Sequence, residues 1–200
     1  EYFGISMLSI PLTNSGPDME KIEKQVRGDQ SIKGIWCVPK YSNPTGHTYS
    51  DEVVKRIAAL PKIAADDFFV FWDNAYVVHD LQSNGEKLYN ISRAAENQGT
   101  SDNGLIFAST SKITFAGAGI SFLSTGDETL SDFENYLSMQ MIGFDKVNQL
   151  RHVKLLKNLE ETKQLMAKHQ KILKPKFDLV LTTLENKLGN SKVAQWTRPK

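Results

Sequence analysis

Short apolar runs that alternate with helical segments constrain the fold of this chain more than any other feature. Turn residues bound each run, and polar stretches with helical spacing separate the runs. Strands that alternate with helices form a largely parallel sheet with helices on both faces. The sequence therefore predicts an α/β fold, a three-layer α/β/α sandwich with a mostly parallel sheet. The predicted strands are 3–12, 34–39, 68–72, 104–109 and 120–124.

Helices are predicted over 17–26 and over 50–60, where Ser50 is a suitable N-cap and Pro61 a stop. After Asp127 the pattern changes to long helices. One is expected from about Lys146, and a second follows Pro175 and ends near Gly189. The expected organisation is a large domain (1–145), linking helices (146–190) and the strand-like start of a small domain (191–200), in a piece of a longer protein.

Composition limits the class of partner. The chain is 40% hydrophobic and 24% charged, with a net charge of +1, which suits a globular domain and disfavours nucleic acid or membrane as an obligatory partner. The basic stretch 146–176 is interpreted as a solvated helix face, with a docking surface as the alternative. The single cysteine, Cys37, lies in an apolar run, so a buried thiol and a reducing cytoplasm are expected. No apolar run approaches the length of a membrane span.

Polar residues directly after the apolar runs are the candidate site, because ligands bind at the carboxyl edge of such sheets. The first such segment reads VPKYSNPTG, in which Asn43 offers a donor and an acceptor and Pro44 fixes the backbone. The second reads FFVFWDNAY, with Asp73 at the strand end and Tyr76 three residues later. Each has a simpler interpretation: the first is good turn chemistry, and Asp73 could cap a turn.

The third segment, STSKITFAGAG, places Lys112 after small hydroxyl residues. Ser109, Thr110 and Ser111 could cradle a phosphate. A desolvated Lys112 would be a competent amine nucleophile, although a lysine in such a loop is often only a surface residue. Together the three segments supply an amine, a carboxylate for a ring nitrogen, groups for a ring hydroxyl and hydroxyls for a phosphate. That set matches the functional groups of pyridoxal 5′-phosphate.

The chain resembles the class I aminotransferases of fold type I, which depend on pyridoxal phosphate. The resemblance is carried by NPTG (43–46), DNAY (73–76) and STSK (109–112), and the wording is closest to atypical bacterial aspartate aminotransferases, sometimes called subgroup Ic. It implies a homodimer that transfers amino groups between amino acids and 2-oxo acids, most simply from L-aspartate to 2-oxoglutarate. The 1–145 segment would then be the cofactor-binding large domain.

The resemblance also implies roles for individual residues. Lys112 forms the Schiff base with the cofactor and shuttles the proton. Asp73 holds the pyridinium proton, and Asn43 and Tyr76 hydrogen-bond the 3′-oxygen. Ser109 binds the phosphate, with help from Ser111. The catalytic set is thus Lys112, Asp73 and Tyr76.

One departure concerns the phosphate. Most members carry an arginine shortly after the lysine, where this chain has Gly119 and Ile120. The phosphate is therefore expected to be held by hydroxyls, amides and a basic residue outside this chain. The substrate-carboxylate arginine of the family also has no counterpart here.

The remaining conspicuous residues have structural interpretations. His79 is assigned a structural or surface role, and Trp36 and Trp72 are assigned to the core. The histidines show no metal-ligand spacing, so no metal is predicted. Two alternatives stay open: a pyridoxal-phosphate enzyme with another amino donor or a lyase outcome, and the cofactor-binding effector domain of a transcription regulator.

Overall fold

A computed structural model describes residues 3–191 and 193–199 of the chain. The strands are β1 (Leu12–Thr13), β2 (Gly16–Pro17), β3 (Gly34–Cys37), β4 (Phe69–Asp73), β5 (Gly104–Ser109) and β6 (Ser121–Ser124). The helices are α1 (Met19–Gly28), α2 (Asp51–Ala59), α3 (Ile91–Gln98), α4 (Asp127–Gln140), α5 (Lys146–Leu156) and α6 (Leu159–Leu188), and short 3-10 turns lie at Leu60–Lys62 and Ser101–Asn103.

The central sheet has the order β3-β4-β5-β6. Strands β3, β4 and β5 are parallel, and β6 runs antiparallel to β5. This confirms the predicted α/β class with a mostly parallel sheet, and four of the five predicted strands lie where the apolar runs placed them. Strands β1 and β2 pair with each other in a separate two-residue antiparallel ladder.

The prediction of a strand over 3–12 was wrong. Only Leu12 and Thr13 of this neighbourhood are in a strand. Met7 and Leu8 are exposed, at 77% and 58%. An apolar composition alone does not make a strand, because a strand also needs a hydrogen-bonded neighbour and a covered face.

Helices α1, α2 and α3 pack on one face of the sheet and form the core with it. Each begins at a side-chain cap: Asp18 accepts from Lys21 N, Ser50 from Val53 N and Asn90 from Arg93 N. The cap predicted at Ser50 is thus confirmed. The buried residues of this core are Met19, Ile22, Val26, Cys37, Tyr49, Val53, Val54, Ile57, Ala58, Leu60, Phe68, Val70, Trp72, Ile91, Ala94 and Ala95.

The other face of the sheet carries a row of aromatic rings. Trp36 stacks on Phe71 with ring centroids 5.6 Å apart, and Phe71 stacks on Phe107 at 6.4 Å. Trp72 is buried as predicted. The assignment of Trp36 to the core was wrong, because Trp36 is 56% exposed. Successive strand side chains point to opposite faces, so the neighbours Cys37 and Trp36 have opposite environments.

The helical region differs from the prediction in where it breaks. Pro175 lies inside α6, a helix of 30 residues, rather than between two helices. The break comes earlier, at Lys157, whose φ is +49°, and Asn158 then caps α6 by accepting from Glu161 N. A proline removes only one backbone donor, so a long helix can continue past it at a cost of about 3 kcal/mol.

Three further observations concern the described residues only. The segment 193–199, expected to begin a strand, contains no helix or strand. No described helix combines the length and apolarity that a membrane crossing requires. Within the same residues, no three histidine, cysteine or acidic side chains gather as a metal would need.

Candidate active site

The carboxyl edge of the sheet brings the three predicted segments to one side of the molecule. Asp73 ends β4 and Ser109 ends β5, and these strands are adjacent and parallel. Asn74 N donates to Phe107 O at 2.9 Å, which continues the ladder to the edge. The loop that contains Asn43 follows β3 on the other side of β4. The expectation that polar residues after these strands share one edge is therefore met.

Lys112 lies in a tight turn directly after β5. Ile113 N and Thr114 N both donate to Thr110 O at 2.9 Å, which closes the turn around the lysine. The Lys112 ammonium lies 5.0 Å from the centroid of the Tyr76 ring, a cation–π contact between two of the predicted site residues. Lys112 is exposed at the edge, so the desolvated environment considered from the sequence is not found.

The Asp73 carboxylate caps the turn that follows β4. Its Oδ1 accepts from Ala75 N at 3.0 Å, the capping role that the sequence left open. Its Oδ2 makes no hydrogen bond to the described part of the chain, so this oxygen can still face a ligand. Asp73 thus combines a structural contact with an available acceptor.

Asn43 lies exposed in its loop, at the cis peptide bond that precedes Pro44. The described structure brings Lys112 and Tyr76 into contact, whereas Asn43 reaches the same edge without a side-chain contact to either.

Two of the three hydroxyl residues before Lys112 face each other. Ser109 Oγ and Ser111 Oγ are 2.7 Å apart, and Ser111 N donates to Ser109 Oγ at 3.1 Å. The Thr110 hydroxyl, grouped with them from the sequence, points away: Thr110 is 5% exposed and its Oγ1 lies 3.0 Å from His152 Nε2. Thr110 directly follows β5, and its contact with His152 on α5 separates its hydroxyl from those of the two serines. Only the two serines can present hydroxyls to an anion here.

Gly119 closes the loop against these serines. A Cβ atom at Gly119 would lie 2.5 Å from Ser111 Oγ and 2.8 Å from Ser111 N. This close approach leaves no room for a side chain at position 119. Glycine fits there, whereas the arginine of the family pattern would not.

His79, assigned a structural or surface role from the sequence, contacts the loop that carries Lys112. Its Nε2 lies 3.3 Å from Lys112 O, and its ring packs edge-on against Tyr76 with centroids 6.0 Å apart. A carbonyl only accepts, so Nε2 donates to Lys112 O. Burial lowers the pKa of His79 below its ordinary value, since the charged ring would be poorly solvated. Its three-residue spacing from Tyr76 was the available signal.

A largely buried ion pair joins the loop after β3 to the loop after β4. Lys40 Nζ lies 2.7 Å from Asp80 Oδ1 and donates to Val77 O at 3.1 Å, and the Lys40 side chain is only 7% exposed. Tyr41 OH donates to the same Asp80 oxygen at 2.6 Å. Burial, with this hydrogen bond, raises the pKa of the Tyr41 phenol. Sequence reasoning missed this link, which holds the Asn43 loop against the Tyr76 loop.

The donor set fits pyridoxal phosphate in kind. An exposed amine, a strand-end carboxylate with one available oxygen, a phenol and two facing serine hydroxyls lie at one edge. A charged phosphate needs donors, and the serine hydroxyls can supply them, whereas the amides of Ser111, Ile113 and Thr114 already donate within the turn. No second basic side chain at this edge contacts the serines in the described residues.

Known proteins resemble this chain over its whole length. Residues 1–200 match the family model described as aspartate amino-transferase. A provisionally named aminotransferase of Mycolicibacterium smegmatis is 46% identical over 200 residues, which are 100% of this chain and 46% of that protein. An aspartate aminotransferase of Corynebacterium glutamicum is 43% identical over 199 residues, with 100% and 46% covered.

A crystal structure of an aspartate transaminase from Corynebacterium glutamicum superimposes with a TM-score of 0.94 at 42% identity. The superposition covers 99% of this chain and 46% of the transaminase chain. The chain therefore spans about half the length of the curated relatives it matches.

Proposed function

The chain belongs to the aspartate aminotransferase family, and from that premise we propose that it forms the cofactor-binding part of a pyridoxal-phosphate-dependent aminotransferase. The observation that carries the proposal is the contact between the Lys112 ammonium and the Tyr76 ring at the sheet edge that also holds Asp73 and Ser109. An amine nucleophile needs such an edge, open to the substrate and lined by groups that orient its partner.

Pyridoxal phosphate, when bound, supplies an aldehyde that condenses with an amine and a protonated ring that draws electrons from the substrate's α-carbon. In this proposal Lys112 is the amine that anchors the cofactor. With the cofactor bound, the Lys112 Nζ atom would also be the base that moves the proton at the substrate's α-carbon. The exposure of Lys112 suits this second task, because the side chain must swing between two positions.

Asp73 is proposed to hold the proton on the ring nitrogen. Its Oδ1 is fixed by Ala75 N, which orients the carboxylate and leaves Oδ2 for the ligand. A carboxylate beside a protonated nitrogen favours the charged form of both groups. Asp73 would therefore favour the protonated, electron-withdrawing form of the ring.

The remaining polar groups are proposed to fix the ring and the phosphate. Tyr76 and Asn43 would donate to the ring's 3′-oxygen, and the Lys40–Asp80 pair would keep their two loops together. Ser109 and Ser111 would bind the phosphate through their hydroxyls, since they already face each other at 2.7 Å.

L-Aspartate and 2-oxoglutarate are the proposed substrates, giving oxaloacetate and L-glutamate. The support is the name of the relative at 43% identity, together with the motif wording. A homodimer, a reducing cytoplasmic compartment and the division at 145 and 190 belong to the same proposal. Exposed apolar side chains on and after α4, such as Met139 and Phe144, supply surface that a dimer would bury.

The test uses the natural polypeptide that carries this chain, loaded with pyridoxal phosphate. Oxaloacetate formation from aspartate and 2-oxoglutarate is followed for the unchanged protein and for Lys112→Ala. Loss of the proton-carrying amine is expected to lower the rate by about 10²–10⁴-fold. Lys154→Ala, an exposed lysine on α5, is the control and should keep the rate.

A Lys112→Ala protein that retains the unchanged rate would contradict the proposal. A screen of amino donors accompanies the assay. Alanine or an aromatic amino acid consumed faster than aspartate would reassign the donor and leave the aminotransferase chemistry standing.

A further inference from the structure

A buried histidine on α5 makes hydrogen bonds to the loop that carries Lys112. His152 is 6% exposed and lies far from the sheet edge in sequence. Its Nε2 lies 3.0 Å from Thr110 Oγ1 and 2.9 Å from Thr114 Oγ1, and its Nδ1 lies 2.9 Å from Asn148 O. Thr110 and Thr114 flank Lys112 on the two sides.

The protonation of the ring follows from its partners. Asn148 O is a carbonyl and only accepts, so Nδ1 carries the proton. With Nδ1 protonated, Nε2 accepts from Thr110 Oγ1, while the Thr114 hydroxyl donates to Thr110 O at 3.1 Å and lies beside Nε2. The imidazole thus accepts from the loop on one side and donates to its own helix on the other.

The contacts of Thr110 extend the connection across the whole loop. Thr110 Oγ1 also accepts from Ile120 N at 2.8 Å, and Thr110 N donates to Ile120 O at 2.9 Å. Asn148, one turn before His152 on α5, donates through Nδ2 to Ala118 O at 3.0 Å. Both ends of the 110–120 loop are therefore fixed to α5, and Lys112 projects from the part between them.

We propose that His152 is a positioning residue that holds the Lys112 loop in place for the cofactor, acting through the hydroxyls of Thr110 and Thr114. The inference rests on the proposed function. The sequence pattern indicated no specific role for His152. Its contacts explain why a polar ring is buried at this point: all of its polar atoms are satisfied by the loop and the helix.

The experiment compares four variants of the natural polypeptide. His152→Leu removes both nitrogens at similar volume, and His152→Gln keeps an amide that can accept near the Nε2 position. Thr114→Val removes one hydroxyl with little change of shape. Gln149→Ala, an exposed residue on the same helix, is the matched control.

The first readout needs no cofactor. Amide hydrogen exchange of residues 111–120 in the cofactor-free protein reports how often the loop opens. Loss of the hydrogen bond from Thr110 to His152 is expected to speed this exchange about 5-fold in His152→Leu. Thr114→Val should show a smaller increase, His152→Gln should recover part of the protection, and Gln149→Ala should match the unchanged protein.

The second readout is the bound cofactor. His152→Leu should weaken pyridoxal phosphate binding by a similar factor and shift the pH at which the absorption of the bound cofactor changes, since Lys112 is displaced. If His152 only stabilised the fold away from the Lys112 loop, His152→Leu would leave that pH unchanged. His152→Gln should return it toward that of the unchanged protein.

The outcomes separate this inference from the proposed function. Unchanged loop exchange in both His152→Leu and Thr114→Val would overturn it, as would an unshifted absorption profile in a His152→Leu protein that still binds cofactor. If His152→Leu does not fold, Thr114→Val and His152→Gln decide by the same readouts. If the unchanged protein binds no pyridoxal phosphate, the proposed function fails, and the exchange comparison still decides whether His152 holds the loop.

Discussion

Breaking the buried ion pair between Lys40 and Asp80 should cost much more than breaking a similar pair on the surface. The chain offers both: Lys40–Asp80 at 2.7 Å with side chains 7% and 37% exposed, and Lys33–Asp67 at 2.6 Å with 55% and 64% exposed. The residue types and distances match, and the pairs differ in burial and in the further hydrogen bonds that Lys40 donates to Val77 O and that Asp80 accepts from Tyr41 OH. Hydrogen bonds to charged groups contribute about 1.5–3 kcal/mol when shielded, whereas exposed pairs contribute about 0.2–1 kcal/mol.

The exposure of Asp80 places the expected coupling free energy of the buried pair near the lower end, at about 1.5 kcal/mol. Two double-mutant cycles measure it, one from Lys40→Met and Asp80→Asn, the other from Lys33→Met and Asp67→Asn. Urea unfolding followed by tryptophan fluorescence gives each free energy, provided that the denaturant slope stays constant across a cycle. Equal coupling energies for the two pairs would refute the reasoning from burial.

Three further predictions concern single residues. Burial raises the pKa of the Cys37 thiol to about 12 from an ordinary 9.0, so between these values the native state holds a proton that the unfolded chain has lost. Stability should therefore fall as pH rises from about 9, and Cys37→Ala should flatten that fall in unfolding experiments. The lowered pKa of His79 has the opposite sign: stability should fall as pH drops below its ordinary 6.5, less so in His79→Gln. Gly119→Ala should lower the free energy of unfolding by about 1–3 kcal/mol in urea unfolding, because its Cβ would meet Ser111, while Gly143→Ala, with nothing within 4 Å, should not.

Local patterns were sufficient for most of the sheet. Apolar runs bounded by turn residues located β3, β4 and β5, and a serine before a helical pattern located the start of α2. These features depend on neighbours in sequence. The order of the strands then puts their polar ends at one edge, which is why the site segments could be named before the fold was known.

Contacts between distant residues could not be predicted in this way. His152 meets Thr110 across 42 positions, and Lys40 meets Asp80 across 40. Neither partner carries a local signal for the other. The same limit explains Trp36: an apolar run shows that a strand is present, but whether each face is covered depends on the packing of elements elsewhere in the chain.

The break in the helical region shows a different limit. Proline is a reliable helix breaker only when nothing else stabilises the helix, and here α6 continues through Pro175. The actual break combines a left-handed residue, Lys157, with an asparagine cap at Asn158. Many asparagines in a sequence could be helix caps, so Asn158 alone did not identify the start of α6.

The most direct test of the central claim is to find which residue binds the cofactor covalently. The natural polypeptide is reduced with borohydride, digested and analysed by mass spectrometry, with and without prior aspartate. The account predicts a pyridoxyl adduct on Lys112 that is lost after aspartate. An adduct on a different lysine, or none at Lys112, would contradict it.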